Sequence, residues 1–269
     1  MKLRHVGPLQ GILWVRRGFE VFLRQPLAYA ALFFTFLFAA FVLIVTMRQL
    51  GALAVLALMP LVSLGFMLAT RKATQGGFPL PSLFIEPLRA PRRQVMALLQ
   101  IGLAYAVLSM LTMWLADAMD GGRIDALQGA MTSQEASAEM MDDPAMHRAL
   151  LVRLLLTVPV SLLFWHAPAL VHWGGVSAVQ SVFFSVVACW RNLGAFIVYF
   201  LTWAAAVLFF GVVATLIFTL LSAPQLMALV AFPATLMFLT AFYASLYFTF
   251  DDCFIDAMPV GPKVASPET

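Results

Sequence analysis

Charge is scarce in this chain. Only 11% of its 269 residues are Asp, Glu, Lys or Arg, against about 25% in an ordinary soluble domain. That scarcity excludes a water-soluble fold, because at 62% apolar residues one core could not bury the excess and much of it would face water. The excess is expected to face lipid. Cysteine is scarce too: Cys189 and Cys253 are far apart and have no C-x-x-C or His-rich neighbour, so neither a disulfide framework nor a zinc site is suggested. The P-loop, H-E-x-x-H, G-x-S-x-G and G-x-G-x-x-G patterns are absent, so no catalytic activity and no cofactor is expected. Lysine occurs only at positions 2, 72 and 263, against thirteen arginines. With abundant alanine, this suggests a GC-rich bacterial genome and a bacterial inner membrane.

The net charge of +3 does not point to nucleic acid, because the bases cluster beside hydrophobic spans. Uncharged intervals count those spans. Between Arg24 and Arg48 lie 23 residues, between Arg48 and Arg71 22, and between Arg93 and Asp117 23. Each suffices for the ~20-residue crossing of a ~30 Å hydrocarbon core. The 59 residues between Arg191 and Asp251 would make a single helix of about 88 Å, so they must fold back, and Ser222-Ala223-Pro224 marks the turn. Asp143 as N-cap with Pro144 opens another span, which carries Arg153 near its start; that guanidinium is read as snorkelling to the interface. The chain is expected to be an all-α polytopic membrane bundle of six transmembrane helices, at about 27–47, 50–70, 95–115, 150–171, 193–221 and 225–249, in one domain over 1–258. An acidic outer loop (116–148) interrupts it and a disordered tail (259–269) follows.

Charge sets the orientation. With the N-terminus inside, twelve bases (Lys2, Arg4, Arg16, Arg17, Arg24, Arg71, Lys72, Arg89, Arg92, Arg93, Arg191 and Lys263) lie on the cytoplasmic side, and Arg48, Arg123, Arg148 and Arg153 outside. Both termini are therefore expected in the cytoplasm. Charges running up to Arg24 do not match a cleaved signal, so the first segment is expected to be retained.

Three connecting segments have a pattern of their own. In Leu9–Arg24 the apolar residues Leu9, Ile12, Val15, Phe19, Phe22 and Leu23 recur at helical spacing, with Arg16, Glu20 and Arg24 four apart on the other side. An interfacial elbow helix is expected, with Trp14 at interface depth and bases toward anionic inner-leaflet lipid. A second elbow runs from Val176 to Arg191, and a third, over Pro81–Arg93, is limited by Pro87 and Pro91 to a turn or two. Each elbow precedes a hairpin of two spans, and the second span of each hairpin has a proline closely followed by a hydroxyl: Pro60 with Ser63, Pro159 with Ser161, Pro233 with Thr235. These prolines are expected to kink their helices, with a hydroxyl, a water or a neighbouring helix satisfying the freed carbonyl. A threefold internal repeat is the hypothesis. In the outer loop, Thr132-Ser133-Gln134-Glu135 forms a capping box that predicts a short helix to Met141.

Few polar groups could do chemistry. Asp251-Asp252-Cys253-Phe254-Ile255-Asp256 is like the Asp-rich motifs that hold magnesium diphosphate, but a second carboxylate cluster is missing. Asp251 and Asp252 are read as partners of Arg71, Lys72 or Arg191 in a structural ion pair. His166 and His172 flank Pro168, and are read as aromatic-belt residues beside Trp165 and Trp173 in preference to metal ligands. Met119, Met131, Met140, Met141 and Met146 with His147 are too irregularly spaced for a Cu(I) loop and are read as apolar helix faces. The three glycine pairs are read as turns, and no span has an acid, His or Arg in its central third, which disfavours ion-coupled transport.

Gly11-Ile12-Leu13-Trp14, Phe22-Leu23-Arg24-Gln25-Pro26, Arg71-Lys72-Ala73 with Gly76-Gly77-Phe78-Pro79, Ala167-Pro168-Ala169-Leu170-Val171, and Ser185 with Arg191-Asn192 together resemble an uncharacterised family of bacterial six-span inner-membrane proteins. The resemblance covers most of the chain and implies no activity, substrate or catalytic residue. The expected function is a non-catalytic membrane scaffold or assembly component, whose partners are the bilayer and a further membrane protein. The alternative is a passive or lipid-handling transporter; an intramembrane enzyme using Asp251, Asp252 and Asp256 is the least favoured.

Overall fold

The computed structural model describes residues 2–132, 143–222 and 226–255. Among them are ten α-helices: α1 (Gln10–Arg24), α2 (Pro26–Met47), α3 (Gln49–Thr74), α4 (Arg92–Asp120), α5 (Arg123–Thr132), α6 (Pro144–Phe164), α7 (Ala167–Gly174), α8 (Ala178–Arg191), α9 (Leu193–Leu220) and α10 (Leu226–Cys253). Two 3-10 turns, Pro81–Phe84 and Glu86–Arg89, lie between α3 and α4. Six segments are long and apolar enough to cross a membrane, counting α6 and α7 as one. These are the six expected spans, and the chain is an all-α membrane helix bundle. The capping box after Thr132, the helix start at Pro224 and the tail lie outside the described residues.

Local chemistry sets the boundaries. Asp143 Oδ1 accepts the Ala145 N–H at 2.8 Å and Pro144 occupies the first turn of α6, the cap read from sequence. Gly121, at φ 68°, ends α4 in the left-handed conformation that glycine adopts without steric cost. The outward residues of the spans, such as Phe38, Phe41, Leu208 and Phe209, are large and apolar, as a lipid-facing surface requires. α4 runs five residues beyond its expected end because Asp117 and Asp120 are paired there, as described below.

The elbows pack in a cyclic order. α1 lies on α9 and α10, the 3-10 turns on α3, and α8 on α6 and α7. Each therefore rests on the hairpin before its own, with the last hairpin supporting the first elbow. The face of α1 that the protein buries overlaps the apolar stripe read from the sequence only in part, at Val15 and Phe22. Gly11, Trp14, Val15, Gly18, Val21 and Phe22 are buried, whereas Leu9, Ile12 and Leu23 are exposed. Trp14 is 0% exposed, tilted against Phe196 and edge-on to Tyr199. In α8 the small residues Ser181, Ser185, Ala188 and Cys189 face the protein, and Val179, Phe183 and Trp190 face outward.

The fourth span is broken at Trp165–His166, and the cause is a side chain from another helix. In a continuous helix the His166 N–H would bond to the Leu162 carbonyl. Instead the Ser185 hydroxyl stands between them, accepting from His166 N at 3.0 Å and donating to Leu162 O at 2.8 Å. Pro168, with no N–H of its own, removes the next bond but one. Insertion of a side chain into the hydrogen-bond ladder is a recognised cause of kinking. It positions Trp165 and His166 in the protein's centre.

Candidate functional site

Four of the spans meet around a cavity of about 160 Å³. Pro60 and Ser63 of α3, Tyr105 of α4, Ser161 and Trp165 of α6 and its break, and Tyr243 of α10 contribute to its wall. Ser63 donates to the Pro60 carbonyl at 2.8 Å. Among the described residues, the hydroxyls of Tyr105, Ser161 and Tyr243 have no hydrogen-bond partner. No charged side chain among the described residues lines the cavity. A second, apolar cavity of about 190 Å³ adjoins it, sharing Ser161, Trp165 and Phe242 and bounded otherwise by Leu154, Val158 and Phe200 among others.

The three proline–hydroxyl pairs have separate fates. Pro60, Ser63 and Ser161 come to the central cavity, whereas Pro233 and Thr235 line two further apolar grooves on the flanks of α10. Pro159 lies within α6. Nor do the hydroxyls satisfy the carbonyls that proline frees: Ser63 bonds to Pro60 O and Thr235 to Ala231 O, while the freed carbonyls belong to Leu56 and Leu229, four residues before each proline.

A second constellation ties α1 to the end of α10. Asp252 Oδ2 accepts from Gln10 Nε2 at 2.5 Å and Trp14 Nε1 at 2.8 Å, with Arg17 at 3.4 Å. Gln10, Trp14 and Arg17 stand at i, i+4 and i+7, one face of a helix. The ion pair expected of Asp252 with Arg71, Lys72 or Arg191 is thus corrected: its partner is Arg17. Sequence reading placed the carboxylate among the bases that end neighbouring spans; α1 docks against α10 and supplies a nearer one. Asp251 is exposed, and Arg17 and Arg71 both act on it electrostatically. The Arg71 guanidinium lies over Trp173, 5.6 Å from the ring centre. Lys72 is exposed, and Arg191 contributes its carbonyl, which accepts from His5 Nδ1 at 2.8 Å. Asp256 lies outside the described residues.

Asn192, between α8 and α9, completes this end of the molecule. Its Oδ1 accepts the Val6 N–H at 2.8 Å, and its Nδ2 donates to the carbonyls of Arg4 (3.1 Å) and Ala188 (3.0 Å). Beyond it β1 (Lys2–Leu3) pairs antiparallel with β2 (Phe254–Ile255). The beginning of the chain and the end of the sixth span therefore lie at one face.

Of the two histidines read as aromatic-belt residues, His166 departs from that reading because it is buried inside the protein. His166 is 0% exposed, ringed by Phe196, Phe250 and Phe254, and among the described residues neither of its ring nitrogens has a partner. His172 is half-buried beside Trp173. Among the described residues no three His, Cys, Asp or Glu side chains form a metal-binding group. An unpaired buried polar group costs about 1–3 kcal/mol, so His166→Phe is expected to leave stability unchanged or raise it by about that amount. A thermal melt in detergent checks this. Destabilisation beyond 1 kcal/mol would show that the ring nitrogens hold a partner.

Arg153 does not snorkel. It pairs with Asp117 of α4 and lies 3.8 Å from Asp120, whose side chain is fully buried. The signal was present in the acids at i and i+3 of α4, but it becomes readable only once α4 and α6 are known to be adjacent. Of the loop methionines, Met146 packs with Ile124 and Ala149, as an apolar helix face does, and Met119 is exposed on α4.

Over 268 residues the chain is 35% identical to a probable inner membrane protein of Burkholderia thailandensis, covering 98% of both chains. No family model matches, and no solved structure does.

Proposed function

This chain belongs to the same family of bacterial six-span inner-membrane proteins as the Burkholderia relative, and from that premise we propose that it is a non-catalytic scaffold, a component of a membrane assembly. The observation that carries the reading is the interlocked face at which Asp252, Asn192 and the β1–β2 ladder fix the first residues, α1 and the ends of three helices to one another. Such a face presents its exposed bases, Arg16, Arg24, Lys72, Arg92 and Arg191 among them, in fixed relative positions, suited to anionic lipid and to a partner's acidic surface. Thr235 lies in a separate groove, so among the described residues the hydroxyls of the proline-containing spans do not form one continuous polar path, and this favours the scaffold over a conduit.

The test is extraction into native nanodiscs followed by mass spectrometry of the copurifying proteins and lipids. A specific membrane-protein companion is expected; its absence across extraction conditions would sink the assembly reading. In the proposed orientation the interlocked face is cytoplasmic. Cys189 and Cys253 are buried, and burial pushes the Cys189 thiol up, which suppresses its reactivity. Single cysteines can therefore be added to the natural chain. Gln49→Cys is expected to react with a membrane-impermeant maleimide in cells, and Lys72→Cys only after the inner membrane is opened. The reverse pattern would invert the topology.

The transport reading draws support from Ser63 and Ser161 sharing the central cavity. Flux through reconstituted vesicles that is abolished by Ser161→Phe would move the assignment there.

A further inference from the structure

The central cavity has properties that a scaffold does not need. Its wall carries three hydroxyls, of Tyr105, Ser161 and Tyr243, without partners among the described residues. All three residues are half-buried and their oxygens stay accessible, so a guest in the space they line meets polar groups that are free to hydrogen-bond it. What the site can accept is bounded by charge, size and shape. With no charged residue in the wall among the described residues, an ionic guest would be desolvated without compensation, so the guest is neutral. The volume of about 160 Å³ is close to the ~150 Å³ cavity that accommodates benzene, so one six-membered ring fits. Around that ring stand the aromatic side chains of Tyr105, Phe164, Trp165 and Tyr243, which can meet its faces and edges.

The adjoining cavity supplies the shape. It shares Ser161, Trp165 and Phe242 with the first and opens between α6 and α9, where Leu154, Val158 and Phe200 are exposed on the lipid-facing surface. An apolar tail attached to the ring has a course from the polar chamber, past Trp165, into the bilayer. Free hydroxyls suit acceptor oxygens on the ring, and Ser63, whose proton is held by Pro60 O, can still accept from a ring hydroxyl.

We propose that the cavity between α3, α4, α6 and α10 binds the ring of a neutral, lipid-soluble amphiphile of the quinone class, carbonyl or hydroxyl oxygens on Tyr105, Ser161 and Tyr243 and the tail leaving between α6 and α9. The site is independent of the scaffold reading: a companion can be absent while the ring binds, and the reverse.

The experiment uses the full chain in nanodiscs, titrated with a decyl-substituted benzoquinone. Tryptophan fluorescence is the readout, with Trp165→Phe identifying the contribution from the cavity wall. Saturable quenching that Trp165→Phe removes is expected. The double variant Tyr105→Phe, Tyr243→Phe keeps both rings and deletes two hydroxyls, and should bind at least about tenfold more weakly. Ser161→Leu obstructs the passage between chambers and should abolish binding; it also serves if the double variant does not fold. Decylbenzene, with the same tail and no oxygen, should not compete. Three results would overturn the proposal: decylbenzene competing equally, wild-type affinity in the double tyrosine variant, or quenching that never saturates, which would leave the cavity to a cluster of about five waters at ~30 Å³ each.

Discussion

Asp252→Leu is expected to cost about 3 kcal/mol of stability, most of it from groups that are not charged. Arg17 is 42% exposed at its side chain and can rehydrate on losing its partner, so the ion pair itself contributes less than about 1 kcal/mol. Trp14 cannot rehydrate. Its N–H sits in a fully buried ring, and an orphaned buried donor costs about 1–3 kcal/mol; the Gln10 amide adds a smaller amount. The series that separates these contributions is Asp252→Leu, Asp252→Asn and Arg17→Met, followed by thermal or SDS denaturation in micelles. Asn keeps an acceptor for the indole and should recover most of the loss, and Arg17→Met should be nearly silent. If Arg17→Met proves as damaging as Asp252→Leu, the charge pair and not the indole hydrogen bond holds α1 to α10.

Gly11→Val is expected to be at least as destructive. α1 approaches α9 so closely that a β-carbon at position 11 would fall on the Ala195 carbonyl oxygen and the Tyr199 backbone nitrogen. Backbone cannot move aside as a flexible side chain can. Overpacking of this kind costs about 1–3 kcal/mol and sometimes more, and here it would also shift Trp14 off Asp252. One turn pair further on, Gly18 makes the same approach to α10, where a β-carbon would lie 2.6 Å from Ser245 Cβ and 2.8 Å from the Ala241 carbonyl oxygen. Gly211→Ala on α9 is the control, because nothing lies within 4 Å of its would-be β-carbon and alanine favours a helix by up to about 1 kcal/mol. Hydrogen exchange should show α1 released in Gly11→Val and unchanged in Gly211→Ala. Equal protection in both would mean that α1 is not held by this contact.

These two glycines mark the limit of what the sequence could tell. The spans were legible because their signal is additive: twenty uncharged apolar residues read as a crossing whatever surrounds them, and Leu193–Leu220 was located to within one residue at its C-terminal end. Hydrophobicity misled only where the surroundings decide. In α1 the large apolar residues read as the anchoring face, yet the protein's own contact is made through Gly11 and Gly18, which let backbones approach as small residues do in membrane helix pairs. Their seven-residue spacing, with Trp14 between, was a usable signal. The break at Trp165–His166 was foreshadowed by Pro168, but its cause lies nineteen residues away at Ser185, and no local pattern states which carbonyl a serine will seek. Asp252 was singled out correctly as needing a partner. The choice of Arg17 depends on α1 lying across α10, a tertiary fact. The central cavity was half legible: Ser63 and Ser161 were marked by their prolines, while Tyr105 and Tyr243 sit among aromatics that read as ordinary membrane filling.

The pairing of Lys2 with Ile255 and of Leu3 with Phe254 also constrains time. At a synthesis rate of roughly 5–20 residues per second, the first strand and α1 leave the ribosome roughly 10–50 s before the residues they will bind. α1 cannot finish folding in that interval, since Asp252, Tyr199 and Ser245 do not yet exist. A helix with Trp14, Phe19 and Phe22 along it cannot wait in water either, and the bilayer surface is the place where such a helix is stable. An interfacial helix, as the sequence pattern of α1 predicts, would serve the segment in that interval. The docked helix, turned onto its glycines with its tryptophan on Asp252, is the same segment after the last span has arrived.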